Sequence, residues 1–174
     1  MQTHTSFTAV LTPVSHSSEQ ERISWNTPRI AMAGLTAGAV YGGAVIVSGS
    51  FDQQELTLVP MLKWVTTGMF GTSGSLTDEA AAVVGLLGHL FLSILFAAGY
   101  GAILAVLPVP RGSEVVAGLA YGALVGVVMA GVVFHLAHVQ IDLREANRVL
   151  LFIATHMLFV GIPMALVFGP SNEK

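Results

Sequence analysis

The sequence predicts an all-α protein: a four-helix transmembrane bundle built from two parallel-repeated helical hairpins, with a short interfacial amphipathic helix in the first hairpin loop. Three observations carry this. Of 174 residues, 53% are hydrophobic and only 10% are charged, and the charges cluster. Between Arg29 and Asp52, Glu79 and Arg111, Glu114 and Asp142, and Arg148 and Glu173 there is no Asp, Glu, Lys or Arg. Each gap exceeds the roughly 20 residues that a helix needs to cross the hydrocarbon core of a bilayer. A soluble alternative would require four long helices apolar on every face with almost no polar surface to cover them. The third observation is a repeated phrase, AGLTAGAVYGG at 33–43 and AGLAYGALVGV at 117–127.

Residues 1–28 are rich in Ser, Thr and Gln and lack a periodic apolar face, the composition of a disordered polar N-terminal tail. The first long apolar run starts near residue 30, too far from the start for a cleaved secretory signal, so the first helix is expected to be retained. Pro28 suits the first turn of that helix and Trp25 suits a membrane interface. The first hairpin is expected over 29–106, its first helix running from about Arg29 to Ser48. In MLKWVTTGMFG, Met61, Leu62, Trp64, Val65, Gly68 and Met69 fall on one helical face with Lys63, Thr66 and Thr67 opposite. That segment, near 60–70, is too short to span and is expected to lie along the membrane surface, anchored by Trp64.

Thr77, followed by Asp78 and Glu79, is set to cap the second spanning helix, which runs to about Val106. LPVPRGS then forces a reversal, because its prolines and glycine cannot continue a helix. The second hairpin and a short C-terminal tail occupy 107–174, with one helix from Glu114 to about His138 and the other from Arg148 to Phe168. Both tails then lie on one side. With that side cytoplasmic, Arg22, Arg29, Arg111 and Lys174 are inside and Lys63, Arg144 and Arg148 outside, an excess that leans toward a cytoplasmic N-terminus in a cell (inner/plasma) membrane.

Within the repeated phrase, Gly34, Gly38 and Gly42 are spaced by four, as are Gly118, Gly122 and Gly126. Small residues at that spacing let helices approach closely, which is how helices associate in lipid. The first and third spans are therefore expected to cross along these stripes. The second and fourth echo each other in GHLFLSI (88–94) and THMLFVG (155–161), and the two hairpins together suggest an internal repeat about an axis along the membrane normal.

Four histidines fall in or near the spans, all in one half of the bilayer: His89, His135, His138 and His156. His89 and His156, deeper and in matching places, are candidate cofactor-binding residues, with haem b the group that two opposed imidazoles would suit. His135 and His138 stand at i, i+3, and Asp142 continues their face, a candidate set for a divalent metal. An intramembrane histidine can equally serve structure by bonding a backbone carbonyl or a neighbouring helix. His89 also heads a stripe of small residues, Gly85, Ser93, Ala97 and Gly101, suited to helix packing. Pro163, lacking an N–H, frees the carbonyl of Phe159 one turn from His156.

The stretch GLLGHLFLSILFAAGYGAIL (85–104), with the preceding VPMLKWVTTGMFG and the later GLAYGALVGVV, resembles small uncharacterised bacterial inner-membrane proteins of the YagU-like kind, matching at His89, Gly99, Tyr100 and Gly101. The resemblance implies a four-helix bacterial membrane protein without an assigned reaction.

The chain has no cysteine, no phosphate loop, no HExxH, no nucleophile elbow and no paired carboxylates inside a span, so no enzyme is expected. A net charge of −3 with no basic cluster argues against nucleic acid as a partner. The expected partners are the lipid bilayer and either a second copy of the chain or another membrane subunit. The sequence therefore reads as a non-enzymatic membrane module or subunit of a larger complex. Its alternatives are a haem- or metal-binding membrane protein, and transport of a small solute or metal ion along the histidine-lined half.

Overall fold

The computed structural model describes residues 27–51, 58–71, 76–107, 109–136 and 146–169, and every regular element among them is helical. The polar tail expected over 1–28 lies outside the described residues except for Thr27 and Pro28, which open the first helix, and His138, Asp142 and the C-terminal tail beyond 169 lie outside as well. Helix α1 spans Thr27–Phe51, α2 spans Leu58–Phe70 and α3 spans Asp78–Val106. Helix α4 (Glu114–Val128) runs through a π-wound turn, Met129–Val133, into the short α5 (Phe134–Leu136). Helix α6 (Ala146–His156) passes through a second π-wound turn, Met157–Gly161, into α7 (Ile162–Phe168), and together these form one closing rod.

Local chemistry sets the boundaries. The Thr77 side chain accepts the Ala80 amide at 3.3 Å, and Asp78 and Glu79 place negative charge on the exposed amides of the first turn of α3. Gly71 closes α2 with φ of +78°, its amide returning to the Thr67 carbonyl at 2.8 Å, and Gly112 makes the turn before α4 with φ of +85°. Both are left-handed positions where a side chain would be strained. The second π-wound turn lies immediately before Ile162 and Pro163, where the proline ring would otherwise press on the carbonyl of Phe159.

Three helical stretches, Asp78–Val106, Glu114–Val133 and Val149–Phe168, are long and apolar enough to cross a membrane. They turn large apolar side chains outward: Val83, Leu87, Phe91 and Leu95 on α3, Val116, Leu124 and Val127 on α4, and Leu150, Leu158 and Leu166 on the rod are all exposed. The shared core is built mostly from small residues and aromatics: Ala33 and Ala37 of α1, Ala97 and Tyr100 of α3, Tyr121 and Val125 of α4, and Val160, Met164 and Phe168 of the rod.

The glycine stripes do not meet each other. Helix α1 packs along α3, α4 packs along the rod, and α1 also lies against the rod, which leaves α1 and α4 diagonally opposed. A Cβ on Gly34 would stand 2.5 Å from Ile94 Cα, and one on Gly38 would stand 2.8 Å from Ser93 Oγ. A Cβ on Gly122 would stand 2.5 Å from the His156 carbonyl oxygen, and one on Gly126 would stand 3.2 Å from Ile153 Cα. Gly118 and Gly161 face each other so closely that either Cβ would strike the other's carbonyl. The expected crossing of the first and third spans is therefore corrected: each stripe receives the returning helix of its own hairpin, and that contact consumes the smooth face.

Helix α2 is present where expected, but its contact with α3 takes in Thr66 alongside Leu62 and Met69. Thr66, placed by the sequence pattern on the polar face, is fully buried, and Met69 and Phe70 are exposed. The cause is a notch of small residues on α3. Gly85 lies against the Leu62 carbonyl, and the Thr66 hydroxyl, donating, reaches the Ala81 carbonyl at 2.5 Å with the Leu62 carbonyl at 3.3 Å. Lys63 pairs with Asp78 at 2.6 Å at the rim of this contact.

Candidate functional site

Two of the predicted histidines are brought to one place by a residue that the pattern did not single out. Tyr41 of α1 has its ring 4.5 Å from the ring of His156 and 6.3 Å from that of His89, centroid to centroid. His89 comes from α3 and lies beside Gly42, its Nε2 being 3.8 Å from where a Cβ on Gly42 would lie, an ordinary contact distance. His156 reaches the same place from the other hairpin, its Cβ packed over Gly126.

The hydrogen bonds fix the tautomers. His89 Nε2 lies 3.0 Å from the Gly38 carbonyl, and His156 Nδ1 lies 2.8 Å from the Phe152 carbonyl one turn back. A carbonyl only accepts, so each of these nitrogens carries the proton and donates, leaving His89 Nδ1 and His156 Nε2 as the basic nitrogens. The Ser93 hydroxyl donates to the His89 carbonyl at 2.8 Å, and the Thr155 hydroxyl donates to the Phe152 carbonyl at 2.8 Å. His156 is almost fully buried, at 3% exposure, and also packs against Phe152, tilted to it with ring centroids 4.4 Å apart, which in turn meets Phe134 at 5.5 Å.

A second polar point lies further along α3. The Tyr121 hydroxyl of α4 donates to the Phe96 carbonyl at 2.6 Å, and Tyr100 packs between Tyr121, at 4.9 Å, and Phe168, at 5.5 Å. Tyr41 and Tyr121 are thus reciprocal, each leaving the first helix of one hairpin for the second helix of the other. At one end of the bundle, Arg29 donates to the Gly169 carbonyl at 3.3 Å, where a cation suits the C-terminus of a helix.

Of the other predicted residues, His135 is exposed on α5, and its proposed companions His138 and Asp142 are outside the described residues. Among the described residues no group of three His, Asp or Glu could hold a metal ion. A porphyrin between His89 and His156 would have to displace the Tyr41 ring, which packs against both. Tyr41, Phe152 and Thr155 were missed as site residues. Tyr41 had a signal available, being the only tyrosine of α1, beside the last glycine of its stripe.

Fold and centre together define a helical bundle in which three helices are long and apolar enough to cross a membrane and a tyrosine–histidine cluster joins two hairpins. No protein-family model matches the chain, and neither the curated proteins nor the solved structures give a match.

Proposed function

We propose that the chain is a small multi-pass integral membrane protein with α1, α3, α4 and the closing rod as its four spans, acting as a non-enzymatic membrane module or as a subunit of a larger complex. The observation that carries this is the outward face of the three long helices, where Val83, Leu87, Phe91, Val116, Leu124 and Leu158 stand exposed. In water such belts would be an aggregation hazard; in lipid they are the expected surface. The charge-free run from Arg29 to Asp52 supports the fourth span, since α1 is 25 residues long and reaches about 37 Å.

The ends of the described chain support two like-oriented hairpins. The start of α1 and the end of the rod meet through Arg29 and Gly169, which supports both of these ends lying on one side, and the slight excess of basic residues in the sequence on that side favours the cytoplasm. The internal repeat is supported by equivalent contacts, Gly42 against His89 and Gly126 against His156. Helix α2 crosses α3 near Gly85, about 10 Å along the axis from Asp78, at the depth where an interfacial helix rests. The resemblance to YagU-like inner-membrane proteins agrees with this reading.

The test is extraction and capture. The protein should resist alkaline carbonate washing of membranes, and chemical crosslinking in native membranes should trap a defined oligomer or partner. Release into the soluble fraction ends the membrane reading, and a solely monomeric result counts against the module or subunit role.

A further inference from the structure

We propose that the two hairpins are rigid bodies that part at one end of the bundle, pivoting on the end where Arg29 meets Gly169, with the Tyr41 ring as the side chain that holds the far end shut. The inference rests on the membrane reading above.

Each hairpin is locked within itself by backbone. In the first, Gly34 lies against the backbone of Ile94, Gly38 lies against Ser93, and His89 Nε2 donates to the Gly38 carbonyl at 3.0 Å. In the second, Gly118 faces Gly161, Gly122 faces the backbone of His156 and Met157, and Gly126 faces Ile153. Main chain set on main chain has no side chain to re-orient, so the two helices of a hairpin shift together or not at all.

The contact between hairpins is of another kind, and it is one-sided. Among the described residues, α1 runs along α7 and the π-wound turn before it, and α3 approaches α7, whereas neither α1 nor α3 comes comparably close to α6 or α4 through its backbone. Toward the Arg29 end this contact is tied several times over. Ala33 and Ala37 share a core with Val160, Met164 and Phe168, and Arg29 donates to the Gly169 carbonyl at 3.3 Å. Tyr121 donates to the Phe96 carbonyl at 2.6 Å, and Tyr100 packs on both Tyr121 and Phe168. Further from that end the bridge is Tyr41, whose ring meets that of His156 at 4.5 Å, tilted by 47°. Rigid units joined firmly at one end and through a rotatable side chain at the other open by rotation about the firm end. Opening there uncovers His89 and His156 toward the far end while the Arg29 end stays closed.

The experiment is pulsed-EPR distance measurement on the full chain in phosphatidylcholine–phosphatidylglycerol liposomes, after flotation has verified that the protein stays with the lipid. A water-soluble chain thus fails at flotation and not in the distances. The chain has no cysteine, so spin labels can be placed in pairs without background. Leu87→Cys with Leu150→Cys spans the hairpins at the far end, Met32→Cys with Leu166→Cys spans them at the Arg29 end, and Leu124→Cys with Leu150→Cys stays within the second hairpin; all five positions are exposed. The far-end pair should give a broader distance distribution than the other two. Tyr41→Ala should lengthen its mean by about 5–8 Å, the arc of a rotation near 15° acting over roughly 20–30 Å of helix, and leave the other two pairs in place. The comparison of widths needs no change at Tyr41 and decides the matter if that variant fails to fold. A far-end pair as narrow as the pair at the Arg29 end overturns the proposal, as does a far-end distance that Tyr41→Ala leaves unmoved or a shift of equal size in all three pairs.

Discussion

At the scale of single residues, the absence of a side chain has opposite meanings at different glycines. A Cβ at Gly122 meets the backbone of His156 and Met157 at 2.5 Å and 2.6 Å, and backbone cannot step aside as a flexible side chain can. Gly122→Ala should therefore destabilise the fold by about 1–3 kcal/mol, read as a lower unfolding midpoint in detergent. Gly43, exposed and with nothing within 4 Å, is the control: Gly43→Ala should be neutral or stabilising by up to about 1 kcal/mol through helix propensity. Tyr121→Phe removes the hydroxyl that donates to Phe96 and keeps the ring against Tyr100. Its expected cost is about 0.5–1.5 kcal/mol, with unchanged helix content by circular dichroism.

The elements hold together by unlike means. Helix α2 is docked through Thr66, buried with its hydroxyl on the Ala81 carbonyl, and through Lys63, whose ion pair with Asp78 stands in solvent. Thr66→Val, which leaves the Ala81 carbonyl without that donor, should loosen α2 and cost about 1–2 kcal/mol. Lys63→Gln should cost well under about 1 kcal/mol, because an exposed pair is screened. Proteolysis or hydrogen exchange across 58–71 compares the two, and a larger effect from Lys63→Gln would make the ion pair, not the buried hydroxyl, the main tether of α2. Element identity was legible in the sequence, since charge-free runs, prolines and the Thr77 cap mark it physically. The docking face of α2 was not: Thr66 joins Leu62 and Met69 against α3 because Ala81, Gly85 and Gly88 on that helix form a notch, and a hydrophobicity pattern within thirteen residues carries no record of that.

For the whole molecule, the path of the chain makes a side-by-side prediction. Arg29 and Gly169 meet at one end, the turn through Gly112 joins α3 to α4, and α3 begins at Thr77. The native chain has no cysteine, so single substitutions report without background. Gly112→Cys should react with a membrane-impermeant maleimide from one side of sealed vesicles and Leu76→Cys from the other. Labelling of both from the same side would overturn the proposed topology.

What the sequence determined by itself was the set of helices and the small-residue faces, because helix formation and apolar transfer depend on the order of residues along one segment. His89 and His156 were also visible in it as paired polar groups in apolar surroundings. Only the tertiary structure decided which partner fills each glycine face and which ring stands against the two histidines. Gly34 and Gly118 look alike as sequence, yet one receives Ile94 and the other Gly161, and Tyr41 becomes a site residue only once α1 lies against the rod. Those outcomes belong to surfaces fitting across long separations, and close fit is a property of two helices together.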